Sequence, residues 1–95
     1  MMIESVQVRA GRALVGWSQA ELANAAGLSL ATVERFETGG ANQVPAEAVA
    51  KMRAALESAG VVFIADDGGG AGVRLRKARE SEYIGWDDLN ASNDD

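Results

Sequence analysis

Neither cysteine nor histidine occurs among the 95 residues. Their absence excludes disulfide frameworks, zinc fingers, thiol nucleophiles and imidazole bases. Proline occurs once and aromatic residues make up 5% of the chain, so large rigid core side chains are scarce. No apolar run approaches the roughly 20 residues that span a bilayer, and no signal-peptide pattern opens the chain. A soluble, cytoplasmic protein without a membrane partner is the expectation. Nothing resembles a nucleophile paired with a base, so no enzymatic activity and no cofactor are expected. The adjacent acids Asp87-Asp88 and Asp94-Asp95 suggest no ligand geometry, and no metal site is expected.

What is present is alanine. It supplies 18 residues of a chain that is 47% hydrophobic, which suits helices packed at close crossings. One compact domain is the scale that this length allows. The net charge of −5 is unevenly spread. Residues 1–60 carry six acids and five bases, residues 61–80 three and four, and residues 81–95 five acids and no base. The body is thus close to neutral and the tail holds the acidity, so the overall sign does not exclude a polyanionic partner.

The spacing predicts a first helix from about Glu4 to Val15, with Val8 and Val15 seven apart and Ala10 and Leu14 beside them. Gly11 weakens its interior and Gly16 ends it. The strongest local signal follows. Ser18 with Glu21 makes a capping box, and Trp17 with Leu22 has the spacing of a hydrophobic staple. That helix stops at Gly27, where a left-handed residue permits a sharp turn. Ser29 caps the next helix, Leu28 and Val33 repeat the staple, and Val33 and Phe36 share a face before Thr38-Gly39-Gly40. Two short helices joined by a tight glycine turn are a helix-turn-helix. Residues 39–44 read as a loop, and Pro45 suits the first turn of another helix. Val49, Met52 and Leu56 form that helix's stripe, which Gly60 ends. The period then changes, and Val61 to Ile64 and Val73 to Arg76 read as two strands around a glycine-rich connection. That connection lacks the Gly-Lys-Ser/Thr ending of a nucleotide loop and opens no helix.

The run from Trp17 through Ser29, followed by Thr32-Val33-Glu34-Arg35-Phe36-Glu37, resembles the Xre-type family of phage-repressor-like transcriptional regulators. Ala23, Gly27, Val33 and Phe36 fall on that family's small, glycine and apolar positions. With Arg12, Gly39 and the flanking helices, the resemblance covers roughly residues 5–60. It implies a mainly α, lambda-repressor-like domain of four to five helices, here with a C-terminal β-hairpin. It also implies double-stranded DNA as partner, transcriptional regulation as function, and a homodimer as the binding unit. Gln19 matches the position that anchors a backbone phosphate. Leu30, Ala31, Thr32 and Arg35 fall where helix 29–38 faces the major groove. With the two cap residues Ser18 and Ser29, these make up the expected DNA-facing set. Arg12 and Glu37 match a structural ion pair.

Each assignment has a plainer alternative. Gln19 is either a phosphate ligand beside unpaired backbone N–H groups or simply an exposed helix start. Arg35 either reads a guanine edge or pairs with Glu34 or Glu37. Thr32 is open between contact and solvent, and Arg9, Lys51 and Arg53 suit solvated helix faces better than phosphates. Leu30 and Ala31 carry no hydrogen-bond information, and Glu34 is unfavourable near phosphates. The expected organisation is a helix-turn-helix domain over 1–60, a hairpin over 61–77 used for dimerisation, and an acidic, disordered tail over 78–95. Two other functions fit the same residues. One is an antitoxin-type autoregulator whose acidic tail also takes a protein partner. The other is a helix-turn-helix protein-interaction module without DNA binding.

Overall fold

Four α-helices precede a β-hairpin in the computed structural model, which describes residues 2–76. The helices are α1 (Ser5–Val15), α2 (Gln19–Ala26), α3 (Leu30–Gly39) and α4 (Ala46–Ser58), with a single 3-10 turn at Ala41–Gln43. Strands β1 (Val61–Ile64) and β2 (Gly72–Leu75) follow. This is the mainly α architecture with a C-terminal hairpin that the sequence suggests. The acidic tail expected over residues 78–95 lies outside the described residues.

Local chemistry explains most of the boundaries. Ser18 Oγ accepts from the Glu21 N–H at 3.0 Å and Glu21 Oε1 accepts from the Ser18 N–H at 2.7 Å, closing the expected capping box. Gly27, at φ +71°, is the left-handed residue that lets α2 turn into α3. Ser29 Oγ caps α3 by accepting from the Thr32 N–H at 3.1 Å. Several limits differ from the sequence reading. Glu4 and Pro45 are the caps of α1 and α4 rather than part of their first turns, α3 runs on through Gly39, and β2 runs from Gly72 to Leu75 rather than from Val73 to Arg76.

The core gathers Val8, Leu22, Val33, Phe36, Met52, Leu56 and Val61, all fully buried. Ile3, Ala23, Val44, Ala48, Val49 and Phe63 complete it. The inward face of α1 is not the one the spacing of Ala10 and Leu14 suggested, because both are exposed. Val8 faces inward and Val15 packs against the core as expected, and they are joined by Gln7 and Gly11 in place of Ala10 and Leu14. A Cβ built on Gly11 would lie 3.4 Å from both Leu56 Cδ1 and Val61 Cγ1, so the glycine is a point of close approach between α1, α4 and β1. Its helix-weakening cost is offset by that packing.

The hairpin is antiparallel, with Val61 opposite Leu75, Val62 opposite Arg74, Phe63 opposite Val73 and Ile64 opposite Gly72. Val61 and Phe63 are buried and Val73 packs against the core. The Arg53 guanidinium stands 5.7 Å from the Phe63 ring centre. Buried Gln7 locks the far end of the ladder to α1: its Nε2 donates to Ile64 O at 3.2 Å and Gly72 O at 3.0 Å. Its Oε1 accepts from the Glu4 N–H at 2.7 Å. In the connecting loop Asp66 Oδ1 accepts from the N–H groups of Gly68 and Gly70, both at 3.0 Å, and these bonds hold its carboxyl below its ordinary pKa. Among the described residues no helix is long and apolar enough to cross a membrane.

Candidate nucleic-acid interface

The site is built around one buried carboxylate. Glu37, near the end of α3, has a side chain only 3% exposed, and a bare carboxylate there would be costly. Three donors meet it. Arg12 from α1 gives Nε to Oε2 at 2.7 Å and Nη2 to Oε1 at 2.8 Å, and Gln19 from α2 gives Nε2 to Oε1 at 3.0 Å. Arg12 also donates Nη1 to Trp17 O at 3.0 Å, holding the α1–α2 junction. Three helices therefore converge on one anion, and α3 is fixed relative to α2. The bidentate fork is the geometry in which arginine and carboxylate bond best.

With α3 held from behind, its outer face is defined by what remains. Val33, Phe36 and Glu37 face inward, while Leu30, Ala31, Glu34, Arg35 and Thr38 are exposed. Thr32 is half-buried, and its hydroxyl lies 2.8 Å from Ser29 Oγ, turned toward the helix start. Arg35 makes no ion pair among the described residues. Its expected alternative partner Glu37 is taken by Arg12 and Gln19. Lys51 instead pairs with Glu47 at 3.7 Å and Arg53 with Glu57 at 2.9 Å, as befits solvated faces of α4.

The helix starts add directed donors. Glu21 N–H and Thr32 N–H are capped by Ser18 and Ser29, but the first two N–H groups of each helix have no intrahelical acceptor. Those of Gln19 and Ala20 open α2, and those of Leu30 and Ala31 open α3. Such N–H groups, with the positive end of the helix dipole, suit an anionic oxygen. The Ser18 and Ser29 hydroxyls are primarily caps.

Of the expected residues, the structure brings Arg12, Gln19 and Glu37 into one cluster and leaves Leu30, Ala31 and Arg35 exposed on α3. The Gln19–Glu37 bond was not legible in the sequence, where Gln19 read as a helix-start residue facing outward. Gln7 was missed as well, although Glu4-x-x-Gln7 has the spacing of a capping box just before the apolar residues of α1.

A family model described as a helix-turn-helix domain matches residues 5–61, more than half of the chain. The chain belongs to that family. Comparison with curated proteins gives no match.

Proposed function

We propose that this helix-turn-helix protein is a sequence-specific double-stranded DNA-binding regulator of the Xre type, acting in the cytoplasm as a homodimer. Helix α3 enters the major groove with Leu30, Ala31, Thr32 and Arg35, and the start of α2 at Ser18 and Gln19 meets a backbone phosphate. The observation that carries this reading is the Glu37 cluster. It ties α3 to α1 and α2, while Arg35 lies exposed on the outer face without an ion pair among the described residues. A guanidinium in that place can donate in parallel to guanine O6 and N7. Leu30 and Ala31 suit thymine methyl groups. Gln19 retains one amide hydrogen after bonding Glu37, which is available to a phosphate oxygen beside the unpaired N–H groups.

Selection of bound duplexes from a random pool, followed by titration of the enriched sequence against a scrambled one, tests the proposal. Enrichment of one motif supports it. Equal, weak binding to every duplex rejects sequence-specific readout. A second reading has an observation of its own, because Leu30 is 42% exposed and shares its face with Ala31 and Glu34. That composition fits a protein partner better than phosphates. Absence of any DNA binding at low salt would favour it.

A further inference from the structure

The open edge of β2 is the feature that neither the core nor the helix-turn-helix uses. The Arg76 N–H donates to Gly60 O at 2.6 Å, so this pair is hydrogen-bonded and the alternation of an antiparallel ladder fixes the rest. The pairs Val62–Arg74 and Ile64–Gly72 are then also hydrogen-bonded, and Val73 and Leu75 turn their backbone N–H and C=O groups away from β1. Among the described residues only Arg74 Nη1, at 3.5 Å from Leu75 O, approaches them. An uncovered apolar stripe runs beside this edge. Gln7 of α1 bonds both strands and Gly11 approaches Val61, so α1 lies beneath the ladder. Val8 and Val15 turn to the helical core. On the side left open, Val6, Ala10 and Leu14 recur at four-residue spacing, Val6 being 51% and Leu14 40% exposed. Leu75 is 48% exposed, although Val61 opposite it is buried.

Such an edge takes another strand. We propose that a second copy of the chain covers it, β2 pairing antiparallel with β2 about a two-fold axis at Val73, so that two hairpins form one four-stranded sheet. This interface presupposes the homodimer proposed above and assigns its residues. Charge selects the register. An axis at Arg74 sets Arg74 directly opposite Arg74, and one at Leu75 sets it opposite Arg76; like charges so placed repel. An axis at Val73 avoids both and leaves the two Arg74 side chains only diagonal neighbours. Val73 then forms a hydrogen-bonded pair with Val73 of the second copy, and Leu75 with its Ala71, which satisfies the outward backbone groups. Arg74 falls opposite Gly72, where no side chain blocks its stem from Ile64 in the next strand, itself 38% exposed. Arg76 falls opposite Gly70. The Gly70 N–H donates to Asp66 Oδ1 at 3.0 Å, so the acidic loop of one copy lies at the basic end of the other's β2.

The helices fit the same axis. Strands lie about 4.8 Å apart, so two α1 helices, each beneath its own ladder, are set about 9.6 Å apart. Helices pack at roughly 8–10 Å. Gln7 lies at the Gly72 end of the ladder and Gly11 toward the Val61–Leu75 end, so Ala10 lies near the level of Val73. The small residue at the middle of the stripe thus sits closest to the axis. Val6 of one copy then meets Leu14 of the other, because the two-fold makes the helices antiparallel. On the inner face of the sheet Phe63 and Val73 of both copies form one apolar row across the axis.

Sedimentation equilibrium of the full chain without DNA tests this, together with charge variants at Gly72. Gly72 has no positive φ, and a Cβ there would meet only Ile64 Cδ1, at 4.0 Å, so a side chain fits in the monomer. The full chain is expected to be a dimer at micromolar concentration. Gly72→Arg sets a like charge opposite Arg74 at two symmetric places and is expected to weaken dimerisation about tenfold. Gly72→Glu is expected to tighten it, and Gly72→Arg with Arg74→Glu to restore it. Val73→Pro removes an N–H that the β1–β2 ladder does not use and is expected to abolish the dimer. Circular dichroism checks that each variant keeps its fold. A dimer unmoved by Gly72→Arg and Val73→Pro overturns the proposal. Equal weakening by Gly72→Arg and Gly72→Glu overturns it too, because bulk and not charge would then decide. A full chain that stays monomeric yet binds the selected duplex overturns the β2 interface and leaves the DNA reading standing. A dimer with the expected variant pattern that binds no duplex supports the interface and rejects the DNA reading.

Discussion

Arg12 grips Glu37 with two contacts, 2.7 Å from Nε to Oε2 and 2.8 Å from Nη2 to Oε1, joining α1 to the end of α3 across 25 residues of sequence. The carboxylate is almost fully buried while the guanidinium keeps partial access to solvent, so the pair is asymmetric. Removing the arginine strands the acid, leaving it the single amide bond from Gln19. Arg12→Ala is therefore expected to cost about 3–5 kcal/mol, the range for breaking a buried pair. Glu37→Gln keeps an acceptor for Arg12 and is expected to cost less. Urea denaturation of both variants checks the order. A loss below about 1 kcal/mol for Arg12→Ala would place the pair with ordinary surface bridges.

Arg35 separates specific readout from general attraction. Arg35→Ala is expected to weaken binding to the selected duplex by about 1–3 kcal/mol and to relax preference at one base pair. Competition between point-substituted duplexes measures it. Equal loss on all sequences would make Arg35 a phosphate contact, and no loss would remove it from the interface.

The salt dependence follows from how few cations the α3 face carries. With about 3–4 phosphates neutralised per subunit, a dimer is expected to show a slope of log K against log salt near −6, at about 0.9 per phosphate. Titrations at several salt concentrations, with the oligomeric state followed by sedimentation, test both numbers. A slope near half that value in a sedimenting monomer would reject the dimer as the binding unit.

Gln7 tests the attachment of the hairpin. Its Nε2 makes two bonds to strand carbonyls, and at about 0.5–1.5 kcal/mol each Gln7→Ala is expected to cost about 1–3 kcal/mol. Gln7→Glu keeps the size but replaces the donor with a second acceptor facing those carbonyls, so it should cost more. Chemical denaturation ranks them. Equal stability of Gln7→Glu and wild type would show that the bonds to Ile64 and Gly72 contribute nothing net.

The Asp66 turn has a defined pH response. The Gly68 and Gly70 N–H groups favour the carboxylate, so its folded pKa lies below the unfolded value. Its contribution to loop order is complete above the unfolded pKa and is lost as pH falls through the lower folded one. The Gly68 and Gly70 amide shifts should accordingly move on acidification with a midpoint below the ordinary aspartate value. Movement centred at the ordinary value would mean that the turn does not bind its carboxylate.

The parts of this protein legible in its sequence are those decided within a few residues. Ser18 with Glu21, Gly27 in its left-handed conformation and Ser29 before Thr32 set the limits of α2 and α3 through local hydrogen bonds, which spacing exposes directly. The hairpin was legible for a similar reason, because alternation and a glycine-rich link are local. The Arg12–Glu37 pair came from a resemblance; spacing by itself says nothing about residues 25 positions apart.

Tertiary structure decided the remainder, and in each case two distant segments had to meet. Gln7 looks like a surface residue until the carbonyls of Ile64 and Gly72, 57 and 65 positions away, arrive to accept from it. Gly11 looks like a weak point in a helix until Leu56 and Val61 close on it. Gln19 looks like a free helix start until Glu37 proves to be buried and short of one donor. The sequence by itself determined the start of α2, the turn between α2 and α3 and the start of α3, because those caps and turns are made by neighbours. Which polar side chains lie inside, and which face of α3 remains for a partner, depends on desolvation, and desolvation depends on what the rest of the chain brings alongside.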